Sequence, residues 1–399
     1  LGTGLTSTVR EPYLSAIELI NRSPGKVVAI DIPSGLHSDT GAVMGSAVNA
    51  DLTVTFGYPK VGLYLGTAID RVGHIQVVDI GIPSEFAADL SLQIQLLTPE
   101  KVRQIIPGRP RTAHKGTFGH AGIVAGSPGK TGAAAMAGLS ALRIGTGLAT
   151  IAAPQGVSQI LEAKLLEVMI QPMPDSHHHQ LGMDAYKDLL TFSNNKTALG
   201  VGPGLGVSDD TTALLVKLLP QLDIPCLLDA DALNGLCGHP KVFSAAKFPP
   251  VLTPHPGEMA RLMGKHFTAQ TVNQDRLAVA TGFAQQHRAI LVLKGARTIV
   301  AEPGGRTAIC PTGNPGMASA GMGDVLTGII TGLLAQGVPP WEAAQAGVYV
   351  HGLAGDLAAA RLGYAGLIAG DVISEIPQAL RSILSMASSG EHTLSLIRP

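Results

Sequence analysis

The sequence predicts an α/β protein: a parallel-rich sheet covered by helices, with a smaller α/β section ahead of it. Three observations carry that prediction. Apolar residues make up 45% of the 399 residues but aromatics only 4%, alongside 49 glycines and 27 prolines; a core of small and aliphatic side chains suits buried parallel strands under helices. Short apolar runs alternate with helix-period segments through most of the chain. The loops after those runs are glycine-rich or acidic, as expected of ligand loops at the carboxyl ends of parallel strands.

Charge and cysteine content exclude several classes. Lys and Arg number 28 against 29 Asp and Glu, a net charge of -1, which gives no electrostatic case for nucleic acid or a membrane surface. The three cysteines, Cys226, Cys237 and Cys310, show neither a paired framework nor metal-ligand spacing, so a reducing cytoplasm is expected. No apolar run is long enough for a membrane span, and no signal peptide opens the chain. The chain begins at Leu1, and Leu1-Gly2-Thr3-Gly4-Leu5 reads as the end of a strand and a ligand loop. The expectation is therefore a fragment of a longer protein.

The first section, 1–92, offers one helix at 12–21 and strands at 27–31, 52–56 and 75–80. The strand at 27–31 ends in Asp31 and runs into Ile32-Pro33-Ser34-Gly35, delivering a carboxylate at a strand's carboxyl edge. Residues 91–111 read as a junction, because Thr98-Pro99, Pro107-Gly108 and Arg109-Pro110-Arg111 are turn and breaker signals.

The second section, 98–390, predicts strands at 122–125, 149–153, 197–202, 225–230, 251–253, 289–294 and 297–301. Helices are predicted at 132–145, 157–169, 211–222, 272–287, 318–335, 341–362 and 371–386, with a short one ending at 263. His177-His178-His179 lies in a polar, proline-flanked stretch and reads as a surface loop, since ligands adjacent in sequence rarely converge on one ion.

The most informative stretch is Asn314 to Gly328, in which small residues surround one acid, Asp324, and an apolar helix pattern follows. Glycines let backbone approach a ligand, and a helix start offers free N–H groups to an anion such as phosphate. An acid placed there is a candidate general base toward a hydroxyl; a tight turn with Asp324 as a helix cap is the competing reading. Other post-strand loops are Gly126-Ser127, Gly202 to Gly206, Asp229 to Asn234, Thr253 to Glu258 and Lys294 to Thr298. Each alone reads as an ordinary turn or cap, but together on one sheet edge they ask for a phosphate-bearing ligand, with Lys294 and Arg297 as cationic donors. No P-loop is present, and no G-x-G-x-x-G follows a first strand in this section.

The runs Gly202-Pro-Gly-Leu-Gly206, Asp229-Ala-Asp-Ala-Leu-Asn234, Leu252-Thr-Pro-His-Pro-Gly-Glu258, Lys294-Gly-Ala-Arg-Thr298, Gly313-Asn-Pro-Gly-Met and Gly321-Met-Gly-Asp324 resemble, in order, the ribokinase-like ADP-dependent NAD(P)H-hydrate dehydratase family. The first section resembles the C-terminal half of the Rossmann-like NAD(P)H-hydrate epimerase, through Gly2-Thr-Gly-Leu5, Val28-Ala-Ile-Asp-Ile-Pro-Ser-Gly-Leu36, Asp39-Thr-Gly41 and Thr53-Val-Thr-Phe56 with Lys60.

The resemblance implies repair of hydrated NADH or NADPH. A nucleoside di- or triphosphate, ADP or ATP, phosphorylates the ring hydroxyl, and phosphate then leaves. Asp324 matches the acid that activates the hydroxyl. Lys294, Gly295, Ala296, Arg297, Thr298 and Gly323 match nucleotide-binding positions, while Ala134, Gly206, His255 and Asp324 match hydrate-binding ones. Magnesium is implied on the phosphates. In the first section Gly2, Thr3, Gly4, Leu5 and Asp31 match epimerase substrate positions, and Ser34 a potassium ligand.

Two departures from the family stand out. Met322 replaces the usual threonine between the glycines, and the epimerase's Asn/Gly-rich substrate loop is absent, so the chain as given is expected to lack a competent epimerase. A related hydroxymethylpyrimidine- or thiazole-type kinase is the nearest rival, disfavoured by His255-Pro-Gly-Glu258 and Lys294-Gly-Ala-Arg297. A non-catalytic nucleotide sensor is the rival from another class. The small-residue helix at 132–145 suggests packing between subunits, and a homo-oligomer is expected.

Overall fold

The computed structural model describes residues 1–83 and 92–385. Among the described residues the chain divides into two compact units, one over Leu1–Gln95 with Asn273–Asp275 and a larger one over Leu96–Val272 and from Arg276 onward. Residues 84–91, at the end of the expected first section, and the expected tail of the last helix beyond 385 lie outside the described residues.

In the first unit, helix α1 (Tyr13–Arg22) turns Ile17 inward against Val9 and Val48. Strands β1 (Val28–Ile30), β2 (Leu52–Phe56) and β3 (His74–Val78) form a parallel sheet in the order β1-β2-β3, with Val28 opposite Leu52 and Leu52 opposite His74. On β2 the inward positions are Thr53 and Thr55, both fully buried. Their hydroxyls bond the Val72 carbonyl at 2.7 Å and Asp31 Oδ1 at 3.2 Å, as buried donors must. Two short 3-10 helices, Val61–Tyr64 and Gly66–Asp70, are additions to the expected elements.

The second unit is built on a ten-stranded sheet in the order β4-β13-β12-β11-β10-β9-β8-β5-β6-β7. In chain order its elements are β4 (Ile94–Leu96), α2 (Pro99–Ile105), β5 (His120–Val124), α3 (Thr131–Arg143), β6 (Leu148–Pro154), α4 (Gln155–Lys164) and β7 (Met169–Met173). Then come α5 (Tyr186–Ser193), β8 (Ala198–Val201), α6 (Asp209–Leu218), β9 (Cys226–Leu228), α7 (Asp231–Gly235), α8 (Lys241–Ala245), β10 (Val251–Leu252) and α9 (Pro256–Met263). The remainder is α10 (Ala269–Gln274), α11 (Arg276–His287), β11 (Ile290–Leu293), β12 (Ile299–Ala301), β13 (Thr307–Ile309), α12 (Met322–Ala335), α13 (Pro340–Leu362) and α14 (Ala369–Ser385).

Strands β7-β6-β5-β8-β9-β10-β11 pair in parallel, and β11-β12-β13 turn antiparallel. Strands β8 and β11 are buried at every residue, which is why they read as continuous apolar runs. Helix α12 is apolar almost all round because it is buried from Val325 to Ala335. It lies close against α3: a Cβ on Gly328 would collide with the Ala137 carbonyl oxygen.

Several sequence expectations give way. The helix expected at 157–169 ends at Lys164, and Met169–Met173 is a strand. Its Pro172 obscures the pattern, and the sheet tolerates it because β7 is an edge. The expected helix 272–287 is two helices divided at Asp275. The junction at 91–111 contains β4 and α2. There Thr98 Oγ1 accepts from the Lys101 amide at 3.3 Å and Pro99 sits in the first turn, so this pair starts a helix rather than breaking one. No helix among the described residues is long and apolar enough to cross a membrane.

Candidate active site

Helix α12 starts at Gly321, whose φ of 90° is left-handed. A side chain there would be strained, and a Cβ would fall 2.7 Å from Met136 Cε. Asp324 stands in the first turn that Gly321 opens, among amides that have no partner within the helix. Burial raises the Asp324 carboxyl to about 7, reinforced by the Asp229 carboxylate and opposed by the Lys294 ammonium. A carboxyl poised there can take a proton from a hydroxyl near neutral pH.

Beneath this turn lies a buried ionic group. Lys294 Nζ is 2.8 Å from Asp229 Oδ1 and 3.7 Å from Glu258 Oε2. Thr327 Oγ1, one turn along α12 from Asp324, donates to Asp229 Oδ2 at 2.8 Å. A Cβ on Gly323 would sit 3.2 Å from Lys294 Nζ and 3.6 Å from Asp229 Oδ2, so glycine lets the turn rest directly on the ion pair. Burial opposes the Lys294 charge, but Asp229 and Glu258 outweigh it and its pKa is raised. The Lys294 ammonium, read from the sequence as a cationic donor to phosphate, stands paired with these carboxylates.

The loop 294–298 is held from outside by Arg276, which sequence reasoning missed. Arg276 donates to the carbonyls of Ala296 at 2.6 Å, Arg297 at 3.4 Å and Leu293 at 2.8 Å. Burial lowers its pKa to about 10. Gly295 and Arg297 both have positive φ, 146° and 58°, and Thr298 Oγ1 donates to the Gly295 carbonyl at 3.2 Å. The stapled backbone of this loop, with the Arg297 side chain, is what a nucleotide could meet.

His255 caps α9. Its Nδ1 accepts from the Gly257 and Glu258 amides at 3.0 and 3.3 Å, while Glu258 Oε2 accepts from the His255 amide at 2.9 Å. Burial lowers the imidazole pKa, and half of the side chain is exposed. The ring is therefore oriented through Nδ1, with Nε2 3.5 Å from Glu258 Oε1.

Gly206 donates its amide to Asp231 Oδ2 at 2.9 Å, and the same oxygen accepts from Lys130 Nζ at 2.9 Å. Ser127 Oγ donates to the Gly204 carbonyl at 2.8 Å, joining the loops after β5 and β8. Of the alanines on α3, Ala134 is fully buried, whereas Ala133 is part-exposed and faces Gly204. Ala133 and Ala134 thus stand together at the start of α3, beside the Gly204 turn.

Asn314 and Gly313 are anchored by Asp356 on α13, whose Oδ1 accepts from Asn314 Nδ2 at 2.9 Å and Oδ2 from the Gly313 amide at 3.0 Å. His351, on the same helix, bonds the Met322 backbone and is held neutral by burial, its pKa lowered to about 4. Asp356, His351 and Arg276 lie in helices where sequence shows only period, so nothing in the pattern pointed to them.

In the first unit Asp31 has φ 68°. Its Oδ1 accepts from Lys60 Nζ, from Thr55 Oγ1 at 3.2 Å and from the Phe56 amide at 3.3 Å. Burial works against the charge, but the Lys60 and Phe56 hydrogen bonds leave the pKa lowered. Gly2, Thr3 and Gly4 are exposed and Leu5 part-buried, in a turn closed by the Leu5 amide on the Gly2 carbonyl at 3.3 Å. Ser34 Oγ accepts from the Leu1 amino group at 2.9 Å and donates to the Leu1 carbonyl at 3.2 Å.

A family profile described as NAD(P)H-hydrate dehydratase matches residues 121–378, and one described as YjeF-related protein N-terminus matches residues 1–62. The bifunctional NAD(P)H-hydrate repair enzyme Nnr of Moorella thermoacetica is 44% identical over 382 residues, which cover 96% of this chain and 72% of that protein. Among solved structures, an ADP/ATP-dependent NAD(P)H-hydrate dehydratase from Bacillus subtilis, co-crystallised with ATP/Mg2+, superposes with a TM-score of 0.65. It is 30% identical, and the match covers 73% of this chain and all of that one. A ribokinase-like superfamily protein from Enterococcus faecalis superposes with a TM-score of 0.62 at 26% identity, over 74% of this chain and 98% of its own. The fold of the second unit is thus ribokinase-like.

Proposed function

The chain belongs to the family of bifunctional NAD(P)H-hydrate repair enzymes, and on that premise we propose that its second unit dehydrates the S form of hydrated NADH or NADPH at the expense of ADP or ATP. The observation that carries the reading is Asp324, a carboxyl raised to about 7 at the glycine-flanked start of α12.

Asp324 takes the proton of the ring hydroxyl. The freed oxygen bonds the terminal phosphorus of the nucleotide as the bond to the departing nucleotide breaks. The phosphorylated hydroxyl then leaves as phosphate with its electron pair, and a proton lost from the neighbouring carbon restores the ring double bond. The first amides of α12, including that of Gly323, face the phosphoryl group, where helix-start donors stabilise developing charge. The loop from Lys294 to Thr298 seats the nucleotide on its backbone. Gly206, His255 and the α3 alanines border the hydrate.

Among the described residues no group of three His, Cys, Asp or Glu side chains could hold a metal ion, and Asp229 and Glu258 are engaged by Lys294. Mg2+ is therefore read as arriving on the nucleotide phosphates, as part of the substrate, where it neutralises charge. In the first unit Ser34 would hold a potassium ion through its hydroxyl oxygen as part of the epimerase reading; the dehydration does not involve it. The three cysteines are free, which fits a reducing cytoplasm, and the reading extends to a homo-oligomer.

The test supplies purified S hydrate with ADP or ATP and Mg2+ and follows the near-ultraviolet absorbance of the restored dihydronicotinamide. Appearance of that band without a stable phosphorylated product supports dehydration. A stable phosphorylated product favours the kinase reading, and nucleotide binding without turnover favours a sensor.

A further inference from the structure

Asp229 is a fully buried carboxylate that the dehydration itself does not use. At 1% exposure it lies beyond the reach of a ligand, yet both oxygens are assigned: Oδ1 to Lys294 Nζ and Oδ2 to Thr327 Oγ1, each at 2.8 Å. Its backbone is fixed as firmly. The Asp229 amide donates to the Val201 carbonyl at 3.0 Å, its carbonyl packs where a Cβ on Gly202 would collide, and Ala230 beside it sits at φ 49°. A non-glycine residue held there is strained and points to a role for the geometry it secures.

We propose that Asp229 is a positioning residue for Asp324, acting through Thr327 and Lys294 to fix the first turn of α12 and the charge that Asp324 faces. The link is short. Thr327 follows Asp324 by one helical turn, and Gly323 rests on the Lys294–Asp229 pair. The other charges facing Asp324 are Asp231 after β9, itself paired with Lys130, and Glu258 on α9; His351 on α13 faces Lys294 as a neutral ring. Asp229 thus carries, together with Glu258, the negative charge that opposes Lys294 beneath Asp324.

This rests on the dehydration reading, and its test separates the two. The pH dependence of kcat/KM for the hydrate is measured for the wild type, D229N, T327V and T327S. In D229N one negative charge facing Asp324 is gone while Lys294 remains, so the acid limb moves down by about half a pH unit or more. Its kcat falls about tenfold or more while the KM for hydrate changes less than about threefold, the signature of lost alignment. T327V lowers kcat severalfold and T327S restores it.

An acid limb in D229N that matches the wild type, or a kcat within about twofold, overturns the proposal. If D229N does not fold, the threonine pair decides: T327V behaving as wild type sinks it. Wild-type chain without turnover sinks the dehydration reading instead, and the Asp324 carboxyl titration, followed by carbon-13 NMR in wild type and T327V, then reads the positioning directly. An identical titration in the two proteins counts against it.

Discussion

Lys294 and Asp229 form a buried ion pair of 2.8 Å directly under Gly323, at the start of the helix that carries Asp324. Such a pair adds little to stability over a well-packed apolar substitute, but removing one partner strands the other. Lys294→Ala leaves the buried Asp229 and Glu258 carboxylates without their shared cation. The variant is expected to lose about 3–5 kcal/mol of unfolding free energy, measured by urea denaturation, and to be inactive even where it remains folded. A loss of under about 1 kcal/mol, the scale of an exposed pair, would mean that the group is solvated.

Asp324 sets the pH behaviour. Its pKa rises from 3.8 to about 7 in the folded chain, so folding favours the protonated acid. Stability from this group is fully present below the unfolded value and lost as pH rises through about 7. Asp324→Asn, which keeps the shape without the charge, is expected to be more stable than wild type at pH 8 by on the order of 2 kcal/mol, with little difference at pH 4. Turnover should fall by at least about a thousandfold while nucleotide binding persists, because a general base has been removed. In the wild type kcat/KM should climb with pH through about 7. Turnover that survives in D324N would assign the base elsewhere.

Much of this was legible in the sequence, for a physical reason. Loops at the carboxyl ends of parallel strands need glycines where backbone must bend or come close, and acids where helices begin, so Gly202 to Gly206, Asp229, Glu258 and Asp324 announce themselves by residue type. What escaped was either edge or tertiary. The strand at Met169–Met173 hides behind Pro172, and Thr307–Ile309 is too short to show a period. Arg276 is one arginine in a helix, and only the fold reveals that its guanidinium closes the 293–297 loop. The competing reading of Asp229 as a helix cap could not foresee Lys294, which is 65 residues away in sequence.

Arg276 yields a prediction about binding rather than chemistry. Its fork serves three carbonyls on a loop with two positive-φ residues, a geometry lysine cannot copy. Arg276→Lys is expected to raise the KM for ADP or ATP about tenfold and to leave kcat within about threefold, since the loop seats the nucleotide and does not touch the reacting oxygen. Isothermal titration with the nucleotide alone should show the same loss. An unchanged nucleotide affinity would mean that the loop holds its shape without the arginine.

Met322 is the departure that made the sequence hardest to read, because a hydroxyl is usual between the two glycines. The side chain is 6% exposed and belongs to the core cluster that holds Val325 and Ile329. A threonine there would gain no ligand, would leave part of the methionine volume empty and would bury a hydroxyl. Met322→Thr is therefore expected to cost about 1–3 kcal/mol in thermal or urea unfolding, with kcat changed by less than about twofold. A variant that turned over severalfold faster at undiminished stability would show instead that this side chain reaches the ligand and that methionine weakens the site.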